Sequence, residues 1–213
     1  CRSGWSATSA TQVGSQAIRN RATGAFVKRL YVKDAAGHAL GGHMGGITIS
    51  RNYLWVSSVS GSKNLFRYSL SAIAAAPADG SVRAGAAWSV AASSYASYAG
   101  GYLYVGQFSD AYSGTALMYR YGLTSTESLA GPATAITTPT RVQGVAVADG
   151  HYIFSTSYGR DCYSRLKFRR IGSSTITNGI ELPPMSEGIV NVPRGAAGPA
   201  DAAATCSSRI RSS

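Results

Sequence analysis

Residues 141–161 read R-V-Q-G-V-A-V-A-D-G-H-Y-I-F-S-T-S-Y-G-R-D, which predicts two β-strands joined by a tight turn. Asp149-Gly150 is a hairpin signal, because glycine readily takes the positive φ that such a turn needs. Before the turn, Val145 and Val147 alternate with small residues. After it, aromatic and β-branched residues begin a second strand, and polar residues follow the end of that strand.

The same hairpin recurs along the chain at a nearly constant spacing. Tyr53, Tyr102 and Tyr152 each begin a second strand, and they lie 49 and then 50 residues apart. Each unit continues with a third strand that alternates basic or polar residues with large apolar ones, which is typical of a half-exposed strand. These third strands are predicted at 64–70, 116–123 and 164–171, and weaker fourth strands at 87–91, 133–137 and 175–182.

Four short antiparallel strands per unit, at a period of 40 to 50 residues, are the pattern of β-propeller blades. One blade cannot bury both of its faces, so neighbouring blades must stack around an axis. A β-sandwich is the competing all-β fold, and it explains the strands but not the period. The sequence therefore predicts an all-β fold, with a single β-propeller domain over residues 1–213.

The two ends of the chain decide the number of blades. A fourth repeat has its first strand at 187–191 and stops before a fourth strand, while the N-terminus offers strands at 4–11, 15–20 and 26–34. Strands from both termini would then meet to close the ring. We expect five blades, with four as the alternative.

The net charge of +11 favours contact with polyanions such as anionic polysaccharide, teichoic acid, lipid headgroups or nucleic acid. The alternative is a solubilising surface, because the basic residues are scattered and form no polybasic tail. Nucleic acid rests on charge alone and is the least favoured partner. No apolar run suggests a membrane span, and we expect a monomer without a cofactor.

The three cysteines allow at most one disulfide within the chain. Their spacing does not fit a zinc site, whose ligands come in closely spaced pairs. Together with few lysines and abundant Ala, Gly, Ser and Thr, a disulfide suggests an exported, extracellular protein. The pair Cys162–Cys206 is favoured over the two pairings with Cys1.

A propeller would bring distant polar residues to one mouth of its central channel. There the first strand of each blade begins and the second strand ends on the same face, and a polar ring over a packed core is a usual ligand site. The loop at 157–161 is the densest polar run, and its arginine offers a bidentate fork for a carboxylate or phosphate. The predicted ligand-binding residues are Ser94, Tyr95, Gln107, Gln143, Ser157, Tyr158 and Arg160.

His43 and Glu187 are the candidate catalytic residues. Glu187 stands where other repeats carry Gly, Ser or Gln, and burial in a channel would raise the pKa of its carboxyl toward that of a general acid or base. The alternative role is a structural ion pair with Arg141 or Arg160. His43 precedes two glycines, so a ligand can approach the backbone closely there. Its alternative role is a hydrogen bond to a neighbouring blade.

Three segments, 22–28, 42–47 and 53–57, resemble secreted β-propeller repeat proteins of actinobacteria. More distantly they are similar to the NHL-repeat, strictosidine-synthase-like and gluconolactonase-like propellers. The metal-dependent members hold calcium in the channel through carboxylate and Asn ligands. At the corresponding positions this chain has Gly45, Ser94, Gln143 and Glu187, of which one is a carboxylate, so the resemblance implies no metal site here.

Three functions follow as hypotheses. The first is a secreted binding module that holds an anionic or carbohydrate ligand, such as a small molecule, a glycan or a cell-envelope polyanion, at the channel mouth. The second is an extracellular hydrolase of a lactone or ester that uses His43 and Glu187. The third is an adaptor that binds protein partners. Fold alone does not separate them, since propellers serve all three purposes.

Overall fold

The computed structural model describes residues 14–20, 22–42, 44–58 and 62–191, which form fifteen strands and one short helix. The elements are β1 (Ser15–Arg19), β2 (Phe26–Lys33), β3 (Met44–Ile49), β4 (Tyr53–Ser58), β5 (Asn64–Ser69), α1 (Leu70–Ala75), β6 (Ser81–Arg83), β7 (Ala86–Ser89), β8 (Tyr95–Ala99), β9 (Tyr102–Gly106), β10 (Thr115–Leu123), β11 (Leu129–Pro139), β12 (Val142–Ala148), β13 (His151–Thr156), β14 (Ser164–Arg170) and β15 (Thr177–Leu182). The predicted all-β class is confirmed. No helix in this part of the chain is long and apolar enough to cross a membrane.

Three of the four sheets are antiparallel meanders whose strands follow chain order. Sheet 2 is β3-β4-β5-β7, sheet 3 is β8-β9-β10-β11 and sheet 4 is β12-β13-β14-β15. The predicted hairpin of residues 141–161 is β12 and β13, with Val145 opposite Phe154. Its turn has φ of 48° at Asp149 and 72° at Gly150, as a type I′ turn requires. The repeating strand pattern is therefore confirmed in three successive units.

Sheet 1, with the order β1-β2-β6, is built differently, because β6 runs parallel to β2. Helix α1 and strand β6 were not predicted from the sequence. The Ser69 hydroxyl accepts from the Ala72 amide and begins the helix. At the other end, the Lys28 ammonium on β2 donates to the Ile73, Ala74 and Ala76 carbonyls at 2.7, 2.9 and 2.7 Å. A cation suits the negative end of a helix, and this contact ties α1 to sheet 1.

The sheets pack face to face in chain order. Leu30 and Val32 of sheet 1 meet Leu54 of sheet 2 in one buried cluster. The next clusters join sheets 2 and 3 through Trp55, Leu65, Leu103 and Val105, and sheets 3 and 4 through Tyr95, Tyr104, Met118, Tyr152 and Phe154. The first strands also touch: a Cβ on Gly46 would lie 2.3 Å from the Ala96 amide nitrogen. Sheets 2 and 3 therefore approach closely because β3 has no side chain there.

The prediction of a strand at 187–191 is wrong for the described structure, where this segment is irregular. It nevertheless lies beside β12: a Cβ on Gly144 would be 3.0 Å from the Glu187 carbonyl oxygen and 3.1 Å from the Ile189 amide nitrogen. A strand needs hydrogen-bonded partners as well as a suitable sequence, and the described residues supply none here. The strands predicted at 4–11 and beyond residue 191 lie outside the described residues.

The basic residues of the third strands differ in exposure. Arg165 and Arg170 on β14 are exposed, as the half-exposed pattern predicts, whereas Arg169 between them is buried between sheets. In each unit an arginine stacks on the tyrosine that begins the second strand. The pairs are Arg67 on Tyr53, Arg120 on Tyr102 and Arg169 on Tyr152, with 4.2, 4.7 and 5.1 Å from guanidinium carbon to ring centre. Arg169 is only 7% exposed and donates to the Thr137 carbonyl of sheet 3. Arg67 on sheet 2 likewise donates to the Thr126 and Glu127 carbonyls, in the turn between β10 and β11 of sheet 3, at 3.0 and 2.6 Å. These arginines therefore act as packing residues, and Arg67 and Arg169 also link neighbouring sheets.

Candidate binding surface at the ends of the second strands

Two loops meet where β9 and β13 end. Residues 107–114 follow β9, residues 157–163 follow β13, and Arg141 lies between them just before β12. The Arg141 amide donates to the Ser109 carbonyl at 2.8 Å, and its own carbonyl accepts from the Ser157 amide at 2.9 Å. One residue thus connects both loops through its backbone, with φ of 63°, an uncommon conformation for a residue other than glycine.

The Arg141 side chain joins the aromatic residues of the two loops. Its guanidinium carbon lies 4.3 Å from the ring centre of Tyr158 and 5.1 Å from that of Tyr112. Its Nε donates to the Asp110 carbonyl at 3.2 Å, the only hydrogen bond that the guanidinium makes within the described residues. The terminal nitrogens therefore have donors to offer, and Tyr112 is 89% exposed beside them. We call Tyr112, Arg141 and Tyr158 the loop-end surface.

Basic side chains lie close together next to the loop-end surface. Lys167 on β14 is half-buried, and burial lowers the pKa of its ammonium, with further lowering by the charges of Arg165 and Arg141. Arg165 pairs with Glu181 at 2.8 Å. Neither Lys167 nor Arg141 has an ion pair with a carboxylate among the residues described. Since like charges repel, an anion bound here would relieve the repulsion.

The predicted ligand-binding residues lie around this surface with different exposures. Tyr158 belongs to it, and Arg160 is exposed in the same loop. Ser157 is buried, and its amide is used by Arg141. Of the other polar candidates, Gln107 is exposed, whereas Ser94 and Gln143 are half-buried. Tyr158 and Arg160 are thus the predicted residues best placed to reach a ligand.

Tyr95 does not fit a ligand-binding role. Its side chain is 1% exposed and lies in the cluster between sheets 3 and 4. Burial raises the pKa of its phenol, because the anion would be poorly solvated there. The sequence pattern placed this residue correctly at the start of β8 but did not show that its ring turns inward, over Gly106.

Arg141 was not predicted from the sequence as a ligand-binding residue. A signal for it exists, since Arg141 stands two residues before Gln143 just as His43 stands two residues before Gly45. Met185 holds the same place before Glu187, and it shares with Arg141 a φ of 63°. These two repeats therefore share a backbone conformation at this position even though their side chains differ.

The catalytic candidates are not brought together by the described residues. Glu187 is exposed rather than enclosed in a channel, and it forms no ion pair with Arg141 or Arg160 in the described structure. His43 lies outside the described residues. The hydrolase hypothesis therefore stays a prediction that no observed geometry supports.

Cys162 is disulfide-bonded. Its possible partners Cys1 and Cys206 both lie outside the described residues, so the predicted Cys162–Cys206 pairing stays a prediction. Across residues 14–20, 22–42, 44–58 and 62–191, no group of three or more His, Cys, Asp or Glu residues is placed to hold a metal ion.

Comparison with known proteins does not assign the chain to a family. No model of a protein family matches the sequence, and no curated protein is significantly similar to it. The resemblance to secreted propellers therefore rests on residues 22–28, 42–47 and 53–57, and the family stays a prediction.

Proposed function

We propose that the chain is a secreted β-propeller that binds an anionic or carbohydrate ligand, such as a cell-envelope glycan, through the loop-end surface. The observation that carries the proposal is Arg141, held against Tyr158 and Tyr112 with its terminal nitrogens unused by the described residues. Guanidinium groups recognise carboxylates, sulfates and phosphates through paired hydrogen bonds. An exposed tyrosine beside such a group offers an apolar face and a hydroxyl to a sugar.

The propeller is supported by the order in which the sheets pack. Three consecutive meanders place their first strands side by side, and positions equivalent in the repeat approach each other, as Gly46 does Tyr95 and Gly144 does Glu187 and Ile189. The described residues account for four sheets. A fifth blade, which we favoured from the sequence, would have to come from residues 1–13 and 192–213.

An extracellular location is supported by the disulfide at Cys162, since such bonds persist mainly in oxidising compartments. The net charge of +11 favours accumulation of the protein on anionic surfaces. Long-range attraction of this kind is weakened by salt. The net charge therefore contributes to the rate at which protein and ligand meet, and Arg141 contributes the specific contact.

Replacement of Arg141 by alanine tests the proposal. We expect the affinity for sulfated dextran, polygalacturonate or teichoic acid oligomers to fall about tenfold, because one charge-assisted fork is lost. Isothermal titration calorimetry against these probes, with neutral dextran alongside, measures the effect. Arg141→Lys should fall in between, because the ammonium keeps the charge but not the planar fork.

Arg51→Ala is the matched control. Arg51 is exposed on the turn between β3 and β4, and its removal changes the net charge equally. We expect its affinity to stay within about twofold of the parent value. An equal loss in both variants would indicate nonspecific attraction by charge, and binding of none of the probes would overturn the proposal.

A further inference from the structure

A cavity of about 350 Å³ lies at the opposite end of sheet 4 from the loop-end surface. It is lined by His151, Phe168, Arg170, Ser173, Thr175 and Thr177. These residues come from the start of β13, the end of β14 and the turn into β15, whereas Tyr158 follows the end of β13. Since β13 has six residues, the two places are about 20 Å apart.

Strand register places the cavity-lining side chains on one face of sheet 4. His151 is opposite Arg170 and Phe168 is opposite Thr177, with Phe168 two residues before Arg170 on the same strand. Residues that are directly opposite, or two apart on one strand, share a face. The aromatic ring therefore forms the apolar wall of a cavity that has Arg170 and His151 at its end.

The cavity walls are held in place by local contacts. A Cβ on Gly179 would lie 2.0 Å from the Phe168 ring, so the ring occupies the space that a side chain on β15 would fill. In the turn, the Ser173 amide donates to the Arg170 carbonyl at 3.0 Å, and the Thr175 amide donates to the Ser173 hydroxyl at 3.1 Å. A ring and a turn held in this way reduce the ordering that a ligand must impose on this part of the lining.

The polar groups of the cavity have complementary roles. Nδ1 of His151 lies 2.7 Å from the Asp149 carbonyl oxygen. A carbonyl only accepts, so Nδ1 carries the proton, and Nε2 of the neutral ring is left as an acceptor. No hydrogen bond or ion pair engages the Arg170 guanidinium within the described structure, and no carboxylate lines the cavity.

We infer that this cavity binds a monosaccharide that carries a phosphate or carboxylate group. The Arg170 guanidinium receives the anionic group, Nε2 of His151 accepts from a sugar hydroxyl, and the sugar ring lies on Phe168. The hydroxyls of Ser173, Thr175 and Thr177 complete the polar lining. The volume is at the lower end of the range for small-molecule sites, which suits one sugar unit rather than a chain.

The test is a titration of the whole protein with glucose 6-phosphate, followed by the imidazole NMR signals of its three histidines. We expect one signal, assigned to His151 by its loss in His151→Gln, to shift and saturate below about 10 mM ligand. Glucose should bind about tenfold more weakly, because it lacks the group that Arg170 receives. The same titration with glucuronate and with inorganic phosphate distinguishes the contribution of the acid group from that of the sugar ring.

Arg170→Gln should weaken binding of glucose 6-phosphate about tenfold and remove the preference over glucose. Arg165→Gln, on the same strand but at its other end, should leave the affinity within about twofold. Arg141→Ala should leave the saturation of the His151 signal unchanged, which distinguishes this site from the loop-end surface. An unmoved His151 signal, equal affinities for glucose and glucose 6-phosphate, or an Arg170→Gln variant that binds as the parent does would overturn the inference.

Discussion

Gly106→Ala is expected to lower the free energy of unfolding by about 3 kcal/mol, because the added methyl group overpacks a buried site. Gly106 ends β9 and lies opposite Tyr95 on β8 and Met118 on β10. A Cβ there would be 1.7 Å from Cζ of Tyr95 and 2.0 Å from its hydroxyl oxygen. The overlap is therefore with the ring itself.

The Tyr95 ring has little freedom to move away from that methyl group. It is 1% exposed and is enclosed by Tyr104, Met118 and Phe154 in the cluster between sheets 3 and 4. Close-packed interiors accommodate added volume only by displacing side chains or backbone. The cost therefore falls on the packing of the two sheets rather than on one rotamer.

Urea denaturation followed by circular dichroism measures the loss as a lower midpoint at an unchanged slope. Gly122→Ala is the matched control, because a Cβ on Gly122 would meet its nearest atom, the Ala130 carbonyl oxygen, at an ordinary 3.6 Å. We expect that control to change stability by less than about 1 kcal/mol, since alanine suits a strand interior no worse than glycine. Equal stabilities of the two variants would contradict the packing described around Tyr95.

Glu127→Ala is expected to lower the free energy of unfolding by about 2 kcal/mol, because it leaves partly buried donors without their acceptor. The Glu127 carboxylate, in the turn between β10 and β11, accepts from the Arg51 amide at 3.0 Å and from the backbone and side-chain nitrogens of Asn52 at 2.9 Å each. These donors belong to the turn between β3 and β4. The residue is 4% exposed and connects sheets 2 and 3 at the end opposite the loop-end surface.

Two further variants at this position distinguish the effect of the Glu127 carboxylate from that of the backbone conformation. Glu127 has φ of 56°, which glycine adopts more readily than alanine, so Glu127→Gly should be somewhat less destabilising than Glu127→Ala. Glu127→Gln keeps one acceptor oxygen and should lose least. The control is Glu181→Ala, which removes an exposed carboxylate paired with Arg165 and should cost less than about 1 kcal/mol. Thermal unfolding of the four proteins beside the parent would contradict this account if Glu181→Ala proved as damaging as Glu127→Ala.

Much of the fold follows from local patterns in the sequence. Alternation of apolar with small or polar residues, together with the recurrence of Tyr53, Tyr102 and Tyr152, was enough to place β4, β9 and β13 and the strands paired with them. The turn at Asp149 and Gly150 was equally predictable, because the tendency to adopt a positive φ is a property of single residues. These features depend on near neighbours in the chain.

Other features depend on contacts between distant segments, and local patterns do not contain them. The parallel pairing of β6 with β2 joins segments about fifty residues apart, and the segment at 187–191 has a strand-like sequence without forming a strand. The alternation of residue types in β14 correctly placed Arg169 on the opposite face of the strand from its two neighbours. It did not show which of the two faces would be buried between sheets. The choice of face is made by the neighbouring sheet.

The amino-acid sequence by itself determined the all-β class, the repeated meander and the location of polar loops after the second strands. Only the tertiary structure decided that Tyr95 turns inward, that Arg141 joins two loops, and that Arg170 and His151 border a cavity. The physical reason is that strand formation is governed by periodicity and turns within about ten residues, whereas a binding surface is made by side chains from different strands. These side chains come together to form a surface only once the sheets have packed.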